Sequence, residues 1–167
     1  MQTFLPYPDF AESAAVLDDR RLGKQRVETL QVIRALTRET YGWKRHPAVR
    51  MWGGHVEALG AYGAAVCAEW VQRGYADTCA ATMGTDLGLV GITTVRDQSR
   101  LAAAGLLPYW LGDDRVHASH QAALLRKDPP HYLAHFAGVD PDQPYFWPVP
   151  KDSTEVIASS APAGRHG

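Results

Sequence analysis

Cysteine is scarce in this chain, with two in 167 residues, Cys67 and Cys79. They lack the close paired spacing of a structural zinc site and are too few for a disulfide framework, so both are expected as reduced thiols, buried or incidental. Long apolar runs are absent too: no stretch approaches the roughly 20 residues that span a bilayer. The opening MQTFLPYPDF lacks the basic, apolar, small-residue order of a signal peptide. Together these absences lead us to expect a cytoplasmic protein without membrane contact. Nor is there an excess of one charge: 17 Lys and Arg stand against 18 Asp and Glu, a net of −1, which excludes a global electrostatic pull toward nucleic acid.

Several catalytic signatures are also missing. No HExxH pair, GxSxG elbow, Rossmann glycine pattern or catalytic-cysteine motif occurs, and Gly23-Lys24 has neither the upstream Gly nor the following Ser or Thr of a phosphate loop. His117 and His120 lie three apart, and His131 and His135 four apart, which puts each pair on one helix face. Without a neighbouring acidic ligand set they read as hydrogen-bonding or phosphate-contacting histidines rather than a metal site. No metal and no cofactor is expected.

What is present is the composition of an ordinary globular protein, 46% hydrophobic and 21% charged, enough for one core. A single domain is expected over residues 1–150. The stretch 151–167, KDSTEVIASSAPAGRHG, has the composition of a disordered tail.

Hydrophobic periodicity predicts several helices. One long helix is expected over residues 10–40, with Leu22, Leu30, Ile33 and Leu36 on one arc of the helical wheel. Arg26 falls within that arc, where it either pairs with Asp19 or simply orients the helix. After His46-Pro47 a central helix is expected over 48–73, with Gly53, Gly54, Gly60 and Gly63 removing side chains from its flank. Residues 80–109 offer only a short helix near 96–104. Asp113 and Asp114 introduce a helix over 115–127, a helical turn follows at 131–136, and PDQPYFWPVP is expected to wrap irregularly.

Charge is concentrated where the first two predicted helices meet. Between residues 20 and 50 there are nine basic residues against two acidic ones, Glu28 and Glu39, a segment able to neutralise phosphates or to form a solvated helix face. Asp18, Arg21, Gln25 and Glu28, at spacings of three, four and three, form one polar stripe beside the apolar arc. The stripe is either a network of helix salt bridges or the first candidate site.

Three stretches carry a family resemblance: LDDRRLGKQRVE, HPAVRMWGGHVEALGAYGAAVCAEWVQRGYADT and HASHQAALLRKDPPHYLAHF. In this order they resemble a bacterial branch of the pyrimidine-dimer DNA glycosylase family, whose best-known member is a phage endonuclease V. Gly54-His55-Val56, Arg73-Gly74-Tyr75, Gln121-Ala122 and Tyr132 take the matching places, and the likeness runs from Met1 to about residue 136. It implies a compact, single-domain, all-α fold of the endonuclease V type. The activity it implies is base release by an amino-terminal α-amine attacking the sugar C1′, with an imine intermediate and abasic-site lyase activity to follow.

That implication makes Met1 a catalytic candidate. A bulky Gln2 blocks removal of the initiator Met, so the amine is expected to belong to Met1, where the family's phage member uses a Thr exposed by trimming. An α-amine ordinarily has a pKa near 7.7–8.0, so about a tenth or more is neutral at pH 7, far more than for a Lys. The family's catalytic Glu follows an Arg, whereas Leu22 follows Arg21 here. Glu28 is therefore the substitute by side-chain type, with Asp18 and Asp19 as alternatives and Arg21 beside it. Arg26-Val27 matches the family's Arg-Val, which implies a DNA-contacting or site-orienting role for Arg26. Arg20, Lys24, Arg45, Arg50, His117 and His120 complete the candidate DNA-binding set, while Trp43, Trp52 or Tyr109 would fill the gap left by an unstacked base. The expected partner is double-stranded DNA with a damaged or modified base, bound by a monomer near the nucleoid. Two other readings stay open: a noncatalytic nucleic-acid-binding protein that keeps the fold, and a small-molecule N-glycosidase or metal-dependent hydrolase using the His pairs.

Overall fold

The computed structural model describes residues 1–148, so the expected tail lies outside it. Among the described residues there are helices and no strands. The elements are α1 (Phe10–Val16), α2 (Asp19–Thr37), α3 (Pro47–Arg50), α4 (Val56–Gln72), α5 (Cys79–Gly88), α6 (Gln98–Ala103), α7 (Asp114–Lys127) and α8 (Pro129–Tyr132).

Aspartate sets most of the helix starts. The carboxylates of Asp9, Asp18, Asp97, Asp113 and Asp128 each accept a backbone N–H from the first turn of α1, α2, α6, α7 and α8, satisfying donors that a helix leaves unpaired. The cap at Asp18 also corrects the single helix expected over 10–40. Asp18 is extended, with φ −64° and ψ 158°, so the chain turns there and two helices replace one. The joint is held from outside, because Arg73 donates to the carbonyls of Leu17 and Ala15 at 2.7 and 3.0 Å.

The expected helix over 48–73 is likewise two. His46 caps α3 through Nδ1, Pro47 takes the first helical position, and the chain then turns at residues 51–54, with Gly54 at φ +78°. A residue with a Cβ avoids that conformation, and Gly does not. The central helix α4 begins only at Val56. It packs on α1, α2 and α5, burying Leu59, Tyr62 and Val66 around the aromatic cluster of Phe10, Trp52 and Trp110.

Helix α5 was not foreseen. Its approach to α4 is close because Gly60 and Gly63 present no side chain: a Cβ on Gly63 would stand 2.6 Å from Met83 Sδ, and one on Gly60 would stand 2.9 Å from Leu87 Cδ1. Asp86 of the same helix is buried and accepts from Arg34 and Arg38 of α2 at 3.0 and 2.9 Å. Burial pushes its pKa up, and the two guanidiniums more than reverse that, holding it below the usual carboxylate range.

Candidate active site

The nine residues before α1 have no regular secondary structure and residues 2–6 are buried, so their backbone groups need partners from elsewhere. Side chains of three helices provide them. Glu28 Oε2 accepts the Gln2 N–H at 3.1 Å, while Gln25 donates to the Gln2 carbonyl and accepts the Phe4 N–H, both at 2.9 Å. The Tyr62 hydroxyl donates to the Phe4 carbonyl at 2.6 Å. From α7, His120 Nδ1 accepts the Leu5 N–H at 2.9 Å and His117 Nδ1 donates to the Leu5 carbonyl at 2.8 Å. Gln121 donates to the Pro6 carbonyl at 2.8 Å. The result is a chain terminus pinned residue by residue.

The pinned terminus opens onto a cavity of about 350 Å³ lined by Met1, Gln2, Phe4, Arg20, Arg21, Lys24, Gln25, Glu28, Lys127 and Tyr145. Met1 is half-buried at its wall. Glu28 faces it, bonded to the peptide N–H one residue from the α-amine, with Gln25 Nε2 on the same oxygen at 3.2 Å and Lys24 Nζ 3.7 Å from the other. Helical spacing explains the grouping: Arg21, Gln25 and Glu28 fall on one stripe of α2, and Arg20 and Lys24 flank it. The cavity thus joins an amine, a carboxylate and a cationic rim.

The stripe's remaining member serves structure. Asp18 Oδ2 accepts from Arg21 at 3.1 Å, and Asp18 also accepts from the Tyr132 hydroxyl. Burial raises the Asp18 pKa, and these hydrogen bonds outweigh it and hold the group ionised. Arg21 reaches across to the Lys127 carbonyl at 3.1 Å, which ties the start of α2 to the end of α7. Asp19 turns away altogether, pairing with Arg73 at 2.8 Å and with the Tyr75 hydroxyl at 2.6 Å. Of the three candidate carboxylates, Glu28 is the one in the cavity.

Several expected contacts are corrected. Arg26 does not pair with Asp19: its guanidinium bonds Asp77 at 2.7 Å and lies over the Trp70 ring at 4.7 Å, committed to packing α2 against the turn before α5. His117 and His120 are buried backbone clamps that no phosphate reaches; His117 Nε2 additionally accepts the Gly112 N–H at 2.9 Å. Trp52 is core, donating to Thr3 Oγ1 at 2.9 Å. Arg45 is exposed on the loop before α3, and Arg50 ends α3 half-buried.

Five wall or neighbour residues were not named as site candidates from sequence: Gln2, Phe4, Lys127, Tyr145 and His46. Lys127 is visible only as the cationic end of α7, and Tyr145 comes from the irregular PDQPYFWPVP segment. His46 was read only as the junction before Pro47. Its pKa is lowered, first by burial and then by the Met1 amine, with Glu28 opposing, so its ring lies within reach of both charges. Gln2 Nε2 is buried against Tyr145 without a hydrogen bond of proper geometry. Among the described residues, no three His, Cys, Asp or Glu side chains gather where a metal could sit, and no helix is long and apolar enough to cross a membrane.

Residues 1–83 match the family model described as pyrimidine dimer DNA glycosylase. The matched span holds the pinned terminus, the stripe of α2 and the close-packed face of α4. No curated protein and no solved structure matches the chain.

Proposed function

From the premise that the chain belongs, through residues 1–83, to the pyrimidine dimer DNA glycosylase family, we propose that it excises the damaged base with its own Met1 α-amine. The observation that carries this reading is the cavity that Met1 and Glu28 line together with Arg20, Lys24 and Lys127. An amine nucleophile needs a lone pair, a nearby proton acceptor and a positioned electrophile. The pinned terminus supplies the first, Glu28 the second, and cationic side chains around the cavity hold the phosphates that present the third.

The neutral α-amine attacks C1′, the C1′–N bond breaks, and its electron pair leaves with the base, which takes a proton from water. The sugar ring opens as the C1′–O4′ bond breaks; Glu28 carries a proton from the nitrogen to O4′, leaving a C1′=N imine. Loss of a C2′ proton then expels the 3′ phosphate, and water releases the amine. Lyase activity is this last elimination.

Borohydride trapping on abasic-site DNA, followed by mass spectrometry of the first peptide, tests the amine. The expected product is a covalent adduct at the Met1 nitrogen. DNA binding without any adduct would remove the imine mechanism and favour a noncatalytic binding protein. The variant Glu28→Gln separates the two roles: it is expected to trap on an abasic aldehyde, which needs no base to be expelled, yet to break no C1′–N bond in dimer-containing duplex in single turnovers, read as alkali-labile strand breaks. An unaltered cleavage rate would take the proton-carrying role away from Glu28.

A further inference from the structure

Resting on the glycosylase reading, we propose that the Tyr145 hydroxyl, positioned by the Gln2 amide, donates a hydrogen bond to the O2 carbonyl of the pyrimidine whose C1′–N1 bond is broken, and so stabilises the departing base. Gln2 is buried, at 5% exposure, yet lines the cavity. Three of its four polar groups are engaged: the backbone N–H with Glu28, the carbonyl with Gln25, and Oε1 with the Thr3 N–H at 2.9 Å. That last bond fixes which way the amide faces. Nε2 is left against Tyr145 as a donor without a bond of proper geometry. Buried donors are almost always paired, and catalytic hydrogen bonds that tighten only around a substrate account for such exceptions.

Tyr145 lines the same cavity, together with Met1 and Glu28. Its irregular segment is fastened from α7, where Arg126 donates to the carbonyls of Pro141 and, at 2.9 Å, Gln143. The ring packs edge-on against His120, a clamp of the terminus, with centroids 5.9 Å apart. Burial pushes the hydroxyl pKa up, against Arg126 and the Gln2 amide, so at neutral pH the oxygen keeps the proton that makes it a donor. Breaking C1′–N1 leaves the electron pair on N1, from where it spreads onto O2, the oxygen of the adjoining carbon. The phenol transfers no proton at this step; it donates a hydrogen bond, and water protonates the base afterwards. Because that bond strengthens as O2 gains negative charge, it lowers the barrier rather than merely tightening binding. Both pyrimidines carry O2 on the minor-groove edge, where it is reached with the base still stacked, and a purine presents no oxygen at that place.

Tyr145→Phe keeps the ring and removes the donor. In single turnovers on dimer-containing duplex, read as alkali-labile strand breaks, its C1′–N bond cleavage should fall by about 100-fold, the range for one lost transition-state donor. Borohydride trapping on abasic-site DNA, where no base remains to depart, should proceed at the unmodified rate. Gln2→Met, which keeps the side-chain length without the amide, should lose less cleavage, and adding it to Tyr145→Phe should cost little more, because Gln2 acts through the hydroxyl. Unchanged cleavage in Tyr145→Phe, or cleavage and trapping lost together, overturns the proposal, and independent losses that multiply in the double variant would remove Gln2 as the positioning residue. Failure of the glycosylase reading looks different, since the unmodified protein would then neither trap nor cleave.

Discussion

His120 shows how one residue binds chemistry to stability. Its Nδ1 accepts the Leu5 N–H, its Nε2 has no partner, and burial, with a smaller contribution from the His117 charge, lowers its pKa to about 3. Unfolded, it would titrate near 6.5. Between these values the unfolded chain binds the extra proton, so the stability that neutral His120 contributes is complete above about pH 6.5 and drains away as pH falls toward 3, with a slope of up to about 1.4 kcal/mol per unit. Urea unfolding at pH 7 and pH 5 should show that loss, and His120→Gln, which keeps an acceptor but cannot titrate, should lose much less over the same interval. An equal loss in both would assign the proton elsewhere. From sequence, the spacing of His117 and His120 announces that the two share a helix face but not what the face meets. The target they share is the backbone of Leu5, more than 100 residues away, and no local pattern encodes that.

At the scale of elements, close approach and open surface give opposite expectations for the same substitution. Gly63→Ala must displace Met83 Sδ, which a Cβ would meet at 2.6 Å, so overpacking should outweigh the gain in helix propensity and destabilise by about 1–2 kcal/mol. Gly84→Ala on the outer face of α5 meets nothing within 4 Å and should stabilise by about 0.5–1 kcal/mol. Chemical denaturation midpoints check both, and a stabilised Gly63→Ala would contradict the tight α4–α5 contact. The same two helices mark where sequence reading succeeds and where it stops. Helix α4 announces itself by periodic large apolar residues. Helix α5, CAATMGTDLG, carries weak helix formers and is held by Met83, Leu87 and the Asp86 pairs, a tertiary support that propensity does not register. Both long predicted helices also ran through a break, because Asp18 and Gly54 fit the periodic pattern while their backbones leave the helix.

Across the whole molecule, a net charge of −1 conceals a sharply local field. Arg20, Arg21, Lys24 and Lys127 line one cavity, with Glu28 as its single carboxylate among the described residues, and Arg45 lies on the loop before α3. If Arg20, Lys24, Arg45 and Lys127 each neutralise a phosphate, log affinity for DNA should fall against log salt with a slope of about −3 to −4. Lys127→Ala should make it shallower by about one. A slope near zero would remove the phosphate contacts and with them the cationic rim as a DNA site. Grouping Met1, Arg21 and Glu28 was within reach of the sequence, because helical spacing and a family likeness both converge on the start of α2. Lys127 and Tyr145 were not, since they arrive through the packing of α7 and of the irregular segment after it.

The pinned terminus has a further consequence for how the protein is made. Residues 1–6 leave the ribosome well before several of the side chains that grip them, since His117, His120 and Gln121 are synthesised more than 100 residues later. The stripe of α2 is made early, whereas the cavity beside it closes only after α7 has emerged and docked. A nascent chain in which α7 has yet to form therefore carries residues 1–6 without the clamps that hold them.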